Sequence, residues 1–166
     1  MICLRRATPA DIPTLEAWDR KPHVMASGGV DEDDPTDWAW EIGLDAPWWE
    51  LLMAEDAGRS IGVLRIVDPA EEPTHYWGDT PPNLRAIDIW IGEEADLGRG
   101  YGTEMMLMVL AHCFANPAVT AVLIDPLASN VRARRFYERV GFREVGARTF
   151  GEDECVVYRI GRPPHA

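Results

Sequence analysis

Residues Leu97 to Thr103 read Leu-Gly-Arg-Gly-Tyr-Gly-Thr and mark the point where the chain changes from hairpins to alternating strands and helices. Glycines at 98, 100 and 102 let the backbone approach a ligand and point N–H groups toward it where a helix begins. The free N–H groups and the dipole of such an N-terminus favour a phosphate. By itself, the stretch predicts an anion site and a plain strand-to-helix loop about equally well.

Two common phosphate loops do not fit this stretch. A Walker loop requires G-x-x-x-x-G-K-[ST], and no lysine follows any of the glycines. A dinucleotide loop requires G-x-G-x-x-G, and Thr103 stands where its third glycine would be. The identity of the ligand therefore depends on the neighbouring segments.

Hydrophobic patterning and turn residues predict regular elements on both sides of the stretch. Strands are predicted at residues 2–6, 48–54, 60–68, 85–92, 119–125, 142–148 and 154–160, and helices at about 9–19, 35–43, 102–114 and 130–140. Residues 21–35 are predicted as a flexible loop. The 166 residues suffice for one core, so we predict a single domain over residues 1–166. Its class is α/β, with a mixed sheet and helices packed on its faces.

Composition limits the classes of partner. The net charge of −12 argues against nucleic acid, since phosphate binding needs a Lys/Arg surface. No apolar stretch approaches the roughly 20 residues of a membrane span, and the N-terminus lacks the order of a secretory signal. We therefore expect a cytoplasmic protein without a membrane partner. The three cysteines and four histidines lack metal-ligand spacing, and no metal is predicted.

Acidic residues are concentrated between residues 22 and 58, a range without Lys or Arg. Such a cluster attracts and steers a cationic ligand. We therefore predict a small, polycationic amine substrate, with Asp33 and Asp34 among its ligands. A solvated acidic loop explains any single member of the cluster equally well.

A second segment indicates which ligand the glycine-rich stretch binds. Residues 129–142, SNVRARRFYERVGF, match N-x-x-A-x-x-x-Y-x-x-x-G-F, and glycines 100 and 102 match those of Q/R-x-x-G-x-G/A. In this order and spacing, the two blocks resemble those of the GNAT superfamily of acyl-CoA-dependent N-acyltransferases. The resemblance covers roughly residues 85–142. It implies a GNAT-like three-layer fold, with a central mixed, mostly antiparallel sheet flanked by helices.

The resemblance also implies acetyl-CoA as the acyl donor and a set of residues that bind it. These residues are Trp90, Ile91, Gly98, Arg99, Gly100, Tyr101, Gly102, Thr103, Asn130 and Tyr137. Leu97 stands where the family has Gln or Arg, so the backbone N–H groups that follow it carry the pyrophosphate. The structural alternatives are a solvated loop-tip role for Arg99 and a core position for Tyr137.

Three short stretches resemble the aminoglycoside 6'-N-acetyltransferases within this superfamily. They are Arg85-Ala86-Ile87-Asp88, Asp125-Pro126 followed by Ser129-Asn130, and Asn116-Pro117 followed by Val119-Thr120. By this resemblance Asp88 is a base or amine ligand and Asp125 holds the aminocyclitol. The resemblance assigns protonation of the CoA thiolate to Tyr137.

The residue types agree with these roles but leave alternatives. Asp88 interrupts the apolar run 87–91, where a substrate ammonium would be a good partner for a carboxylate; an internally paired structural Asp is the alternative. Asp125 ends the next strand, where ligands gather in α/β sheets, or caps the turn that follows. Trp49 and Trp77 are predicted as walls of the acceptor pocket, with core packing as the alternative.

The leading hypothesis is an N-acetyltransferase that moves the acetyl group of acetyl-CoA directly to a primary amine in a ternary complex. Backbone N–H groups near residues 90–92 are predicted to stabilise the oxyanion. The acceptor is a small polycation, with an aminoglycoside as one candidate, and the enzyme a monomer or homodimer. Peptide, lysine or siderophore-amine acetylation is a same-fold alternative. A non-catalytic acyl-CoA-binding module is a second class of hypothesis.

Overall fold

A seven-stranded sheet forms the centre of the computed structural model, which describes residues 1–28 and 31–164. Its strands are β1 (Ile2–Arg6), β2 (Trp49–Asp56), β3 (Arg59–Val67), β4 (Leu84–Ile91), β5 (Ala121–Ile124), β6 (Arg143–Phe150) and β7 (Asp153–Gly161). They lie in the order β1-β2-β3-β4-β5-β7-β6. The β4–β5 pair is parallel and the other neighbours are antiparallel, which confirms the mixed, mostly antiparallel sheet.

Helices cover both faces of this sheet. They are α1 (Ile12–Asp19), α2 (Pro22–Met25), α3 (Trp38–Gly43), α4 (Tyr101–Ala115) and α5 (Val131–Val140). Met105 of α4 and Tyr137 of α5 share one core cluster with the sheet, while Leu15 of α1 and Trp38 of α3 share another. The predicted three-layer α/β fold is therefore confirmed. None of the helices in the described ranges is long and apolar enough to cross a membrane.

Local sequence signals account for most element boundaries. The β2–β3 hairpin turns at Ala57 and Gly58, whose φ angles of 50° and 78° have the signs of a type I′ turn. Asn130 caps α5 by accepting a hydrogen bond from the Ala133 N–H, and Gly141 ends it with φ of 113°. The predicted strands 48–54 and 60–68 and the predicted helix 130–140 agree with the hairpin turn and with the end of α5, whereas the Asn130 cap was not predicted.

The segment between α1 and α3 differs from its prediction as a flexible loop. Residues 22–25 form the short helix α2, with Pro22 in its first turn. Helix α3 begins at Trp38 rather than near residue 35, because the Asp37 side chain accepts a hydrogen bond from the Trp40 N–H and sets its N-cap. Residues 29–30 of the predicted loop lie outside the described residues.

The strands β4 and β5 separate along their length. They pair only from Leu84–Ala86 on β4 to Ala121–Leu123 on β5, whereas β4 continues to Ile91. Among the described strands, the second half of β4 therefore has a neighbour on one side only, in β3. This opening, called here the β4–β5 gap, places backbone groups of a central strand beside the cavities described below.

Gly92 directly follows β4 and lies against the indole ring of Trp18, which is 4% exposed. A Cβ atom at position 92 would overlap that ring. The Gly92 N–H donates to the Ile61 carbonyl at 2.9 Å. Close packing against Trp18 and the hydrogen bond to β3 therefore account for this glycine.

Gly92→Ala is expected to lower the free energy of unfolding by about 3 kcal/mol, the upper end of the usual range for overpacking, because a buried indole has little room to move. Urea denaturation measures this change. Gly43→Ala is the matched control, since a Cβ there meets no atom within 4 Å. Equal stabilities of the two variants would contradict the packing role.

Candidate active site

Two cavities meet at the β4–β5 gap. The first, about 520 Å³, is lined by the glycine-rich stretch and by α5, and is called here the loop cavity. The second, about 710 Å³, is lined by Trp40, Trp48, Trp49, Trp77 and Trp90, and is called the tryptophan cavity. Ile89, Trp90, Asn130 and Tyr137 line both. A molecule in one cavity can therefore touch a molecule in the other at these shared residues.

The glycine-rich stretch forms one end of the loop cavity. Gly98 and Gly100 have φ angles of 72° and 87°, in the left-handed region that other residues rarely adopt. Helix α4 begins directly after Gly100, and no side chain among the described residues caps it. The first N–H groups of α4 are left for a ligand, and Gly98, Gly100, Gly102 and Thr103 line the cavity beside them.

Two predicted cofactor ligands point their side chains elsewhere. The Arg99 guanidinium pairs with Asp96 at 3.2 Å, and the Tyr101 hydroxyl donates to Asp56 at 2.9 Å. Neither residue is part of the loop-cavity lining formed by the described residues. Their backbone remains in the stretch that begins α4, but a side-chain role in cofactor binding stays a prediction.

The loop cavity is also lined by basic side chains that were not among the predicted ligands. Arg132 and Arg139 of α5 line it, and so does His23 of α2. The two arginines are seven residues apart and therefore lie on one face of α5. The basic sequence of this helix was an available signal. Both are exposed, which suits groups that receive a charged ligand from solvent.

Hydrogen bonding along β4 decides which backbone groups face the gap. Because the Gly92 N–H donates to Ile61 on β3, the alternation of an antiparallel pair turns the N–H of Trp90 toward β3 as well. The N–H groups of Ile89 and Ile91 face the gap instead. His23 contacts the Ile91 carbonyl from this side, with 2.9 Å between Nε2 and O. Of the N–H groups predicted at residues 90–92 for the oxyanion, only that of Ile91 therefore faces the gap.

Asp88 lies on β4 at the floor of the tryptophan cavity, with 43% of its side chain exposed. It accepts no hydrogen bond from any residue in the ranges 1–28 and 31–164, and its nearest cation is Arg65, whose Nη1 is 4.0 Å from Oδ2. The low-dielectric surroundings raise the pKa of this carboxyl, and the Arg65 charge opposes that rise. The carboxylate is thus surrounded by protein yet open to a ligand.

Asp125 follows β5 and lines the same cavity as Asp88. Its Oδ2 accepts a hydrogen bond of 2.7 Å from the Tyr76 hydroxyl, a partner that the sequence analysis missed. Burial, with the nearby Asp88 charge as a second cause, raises the pKa of Asp125 to about 7. Among the described residues, the Asp125 side chain contacts the Tyr76 phenol and does not cap the turn that follows.

Tyr137 occupies the junction of the two cavities and is 7% exposed. Burial and then the charges of Asp88 and Asp125 raise its pKa, so the phenol holds its proton at neutral pH. The hydroxyl makes no hydrogen bond to another described residue. It is therefore a protonated acid that faces the junction without a competing partner.

The predicted aromatic walls lie in the tryptophan cavity, whereas the predicted acidic ligands from the loop do not. Trp49 donates from its indole nitrogen to the Glu41 carbonyl, and Trp77 packs edge-on against Phe150 with ring centroids 5.2 Å apart. Asp33 and Asp34 lie in an exposed segment, outside the lining that the described residues form. Their role as substrate ligands stays a prediction.

Comparisons with known proteins agree with this geometry. A family model described as an acetyltransferase (GNAT) domain matches residues 7–150. An aminoglycoside N(6')-acetyltransferase type 1 of Klebsiella pneumoniae is 27% identical over 165 residues, which cover 93% of this chain and 80% of that protein. The lysine N-acyltransferase MbtK of Mycobacterium tuberculosis is 24% identical over 98% of this chain and 79% of its own length.

A solved structure is similar over almost the whole chain. It is the crystal structure of the aminoglycoside acetyltransferase AAC(6')-Ib in complex with coenzyme A and kanamycin. It superimposes with a TM-score of 0.86 at 26% identity and covers 98% of this chain and 95% of that one. The chain belongs to the GNAT family of acetyl-CoA-dependent N-acetyltransferases.

Proposed function

We propose that this enzyme transfers the acetyl group of acetyl-CoA to a primary amine of a small polycation, and that an aminoglycoside is its acceptor. The observation that carries the proposal is the tryptophan cavity, where Asp88 and Asp125 face one large aromatic space next to the loop cavity. Carboxylates there attract ammonium groups, and indole faces attract sugar rings and cations. The similarity to a structure that holds coenzyme A and kanamycin supports the same acceptor class.

The donor occupies the loop cavity in this proposal. The unpaired N–H groups at the start of α4 bind the pyrophosphate, and Arg132 and Arg139 bind phosphate oxygens from the opposite wall. The amide-containing arm of the donor runs through the β4–β5 gap toward Tyr137. There the gap-facing backbone groups of Ile89 and Ile91 act as hydrogen-bond partners, and the arm takes the place of His23 on the Ile91 carbonyl.

Arg132→Gln and Arg139→Gln are each expected to weaken acetyl-CoA binding by roughly 10- to 100-fold, since a hydrogen bond to a charged group contributes about 1.5–3 kcal/mol. Isothermal titration calorimetry at two salt concentrations measures the loss and its screening. Arg135→Gln is the control on the same helix, because Arg135 is exposed outside the loop-cavity lining. Equal dissociation constants for all three variants would remove the arginines from the donor site.

The chemistry begins at Asp88. A primary ammonium, with a reference pKa near the lysine value of about 10.4, must lose a proton before it can attack a thioester. Asp88 first binds the ammonium and then takes that proton. The nitrogen forms its bond to the carbonyl carbon, while N–H groups of β4 that face the gap stabilise the charge on the carbonyl oxygen.

Tyr137 completes the transfer. As the carbon–sulfur bond breaks, the phenol gives its proton to the leaving thiolate, and the second proton lost by the nitrogen restores the phenol. The phenol is protonated at neutral pH and can therefore donate its proton. One proton is released for each amide formed.

Asp125 and Tyr76 provide a second contact for the acceptor. A polycation places a further ammonium beside Asp125, in exchange for the Tyr76 hydroxyl that now occupies its Oδ2. With a pKa raised to about 7, Asp125 is mostly neutral below pH 7 and mostly charged above it. Affinity for a polycation through this contact therefore increases as the pH rises through 7.

A lysine side chain is the second candidate acceptor, on account of the similarity to a lysine N-acyltransferase. A panel of kanamycin, spermine, free lysine and a lysine peptide separates the two, with thiol release from acetyl-CoA as the readout. We expect kanamycin to give the largest kcat/KM, because several ammonium groups meet several carboxylates. Preference for lysine would support the second candidate. Binding of acetyl-CoA without turnover of any amine would support a non-catalytic acyl-CoA-binding module.

A further inference from the structure

Arg65 of β3 is the one cation among the described residues that line the tryptophan cavity. Its side chain is 14% exposed, so it is part of the cavity wall rather than a solvated surface group. A cation here repels a cationic acceptor, so its presence in the cavity wall implies that the charge serves another purpose. The contacts of Arg65 identify that purpose.

Three groups fix the guanidinium of Arg65 in place. Its Nε and Nη2 donate to the two carboxylate oxygens of Glu41 at 2.8 and 2.6 Å. Its Cζ lies 5.1 Å from the ring centroid of Trp38 and 4.8 Å from that of Trp90. The Glu41 side chain is itself only 12% exposed, so the pair is largely shielded from solvent. Because the guanidinium is planar, these contacts also fix the orientation of the remaining nitrogen, Nη1.

That orientation is toward Asp88. Arg65 and Asp88 are directly opposite each other in the β3–β4 ladder, and Nη1 is 4.0 Å from Oδ2. At this distance the positive charge acts on the carboxylate without a hydrogen bond. Both oxygens of Asp88 thus keep their lone pairs for an incoming ligand, while the charge beside them favours the ionised form.

We propose that Arg65 is a positioning residue that keeps Asp88 ionised and unbonded for the acceptor ammonium, and that Glu41 holds Arg65 at the distance this requires. Glu41 also offsets part of the Arg65 charge, which limits repulsion of the polycation. The proposal rests on the role of Asp88 as base and amine ligand proposed above. It adds a residue pair that acts on the reaction through Asp88 alone.

Among the described residues around Asp88, Arg65 is the only opposing charge. Asp125 faces it from the end of β5, Glu41 from α3, Tyr137 from α5 and Tyr76 from the connection before β4. All four are acidic or neutral, and burial also favours the neutral carboxyl. Loss of the Arg65 charge therefore raises the pKa of Asp88, and the base becomes available only at higher pH.

The test is the pH dependence of kcat/KM for the acceptor amine, whose acid limb reports a group of the free enzyme. Arg65→Met is expected to move this limb upward by about 1–3 pH units, the usual effect of an opposite charge at this range. Arg65→Lys keeps a charge and is expected to restore most of the profile. Arg85→Gln, which breaks the Arg85–Asp68 pair of 2.9 Å at the other end of β4, is expected to leave the limb in place.

Glu41→Gln is expected to act in the opposite direction. An Arg65 released from Glu41 can bond Asp88 directly, which moves the acid limb down and raises KM for the amine by competition. Because Arg65→Met leaves Glu41 unpaired and risks misfolding, the double variant Arg65→Met/Glu41→Gln removes both charges. It is expected to show an upward shift that is smaller than that of Arg65→Met, because loss of the Glu41 charge offsets part of the effect on Asp88.

An unmoved acid limb in the double variant, with native circular dichroism, would overturn the inference. So would equal and same-signed effects of Arg65→Met and Glu41→Gln, which indicate a merely structural pair. If the proposed function itself is wrong, the result differs from both of these: the wild-type enzyme acetylates no amine, or Asp88→Asn turns over normally. The Arg65 charge lies 4.0 Å from Asp88, whereas burial and Asp88 are the main causes of the raised Asp125 pKa, so we assign an Arg65-dependent shift to Asp88.

Discussion

Replacement of Asp88 by Asn is expected to lower kcat/KM for the acceptor amine by about 10²- to 10⁴-fold, the range for loss of a general base. The amide has the same shape but can neither take the proton nor neutralise the ammonium. Acetyl-CoA binding should stay nearly unchanged, because Asp88 lines the tryptophan cavity and not the loop cavity. Initial rates of thiol release and calorimetry with acetyl-CoA measure the two quantities.

The fold should tolerate this substitution, since no described residue donates a hydrogen bond to Asp88 and Arg65 keeps its partner Glu41. Asp79→Asn removes the same charge from an exposed position outside the cavity and serves as the control. Turnover by Asp88→Asn at the rate of that control would remove Asp88 as the base.

Tyr137→Phe is expected to lower kcat by about 10²-fold with little change in either KM, because the thiolate then has to take its proton from water. The variant should unfold at nearly the wild-type temperature, since the hydroxyl bonds no other described residue. Stopped-flow measurement of thiol release, with thermal unfolding alongside, tests both statements.

Tyr158→Phe provides the contrast. That hydroxyl is held by Arg134 and Glu138 at 3.1 and 2.9 Å, so its removal should lower stability and leave kcat largely intact. If the two tyrosine variants lost activity equally, the loss would report packing rather than proton donation. A kcat for Tyr137→Phe equal to that of the wild type would exclude the phenol as the acid.

The main elements of the fold were predictable because local chemistry specifies them. Gly58 produces the hairpin turn, Asn130 and Gly141 delimit α5, and the glycines at 98 and 100 adopt conformations that other residues rarely tolerate. The position of Asp88 was equally visible, since a carboxylate that interrupts an apolar run is conspicuous.

Contacts between segments that are distant in the chain could not be predicted from the sequence. Nothing near Tyr76 indicates that its hydroxyl reaches Asp125, 49 residues later in the chain. The pairing of Arg65 with Glu41 and Asp88 depends on the register of two strands and the placement of α3. The alternation of N–H groups along β4 depends on the same register, and for that reason the oxyanion prediction at residues 90–92 included groups that face β3.

The central claim is acetyl transfer to an amine of a polycation within the tryptophan cavity. Incubation of the enzyme with kanamycin and acetyl-CoA labelled in its acetyl group, followed by mass spectrometry of the products, tests it most directly. We expect singly acetylated kanamycin that carries the label, formed in step with free thiol. Label found only as free acetate, or no thiol release while acetyl-CoA binds normally, would contradict it.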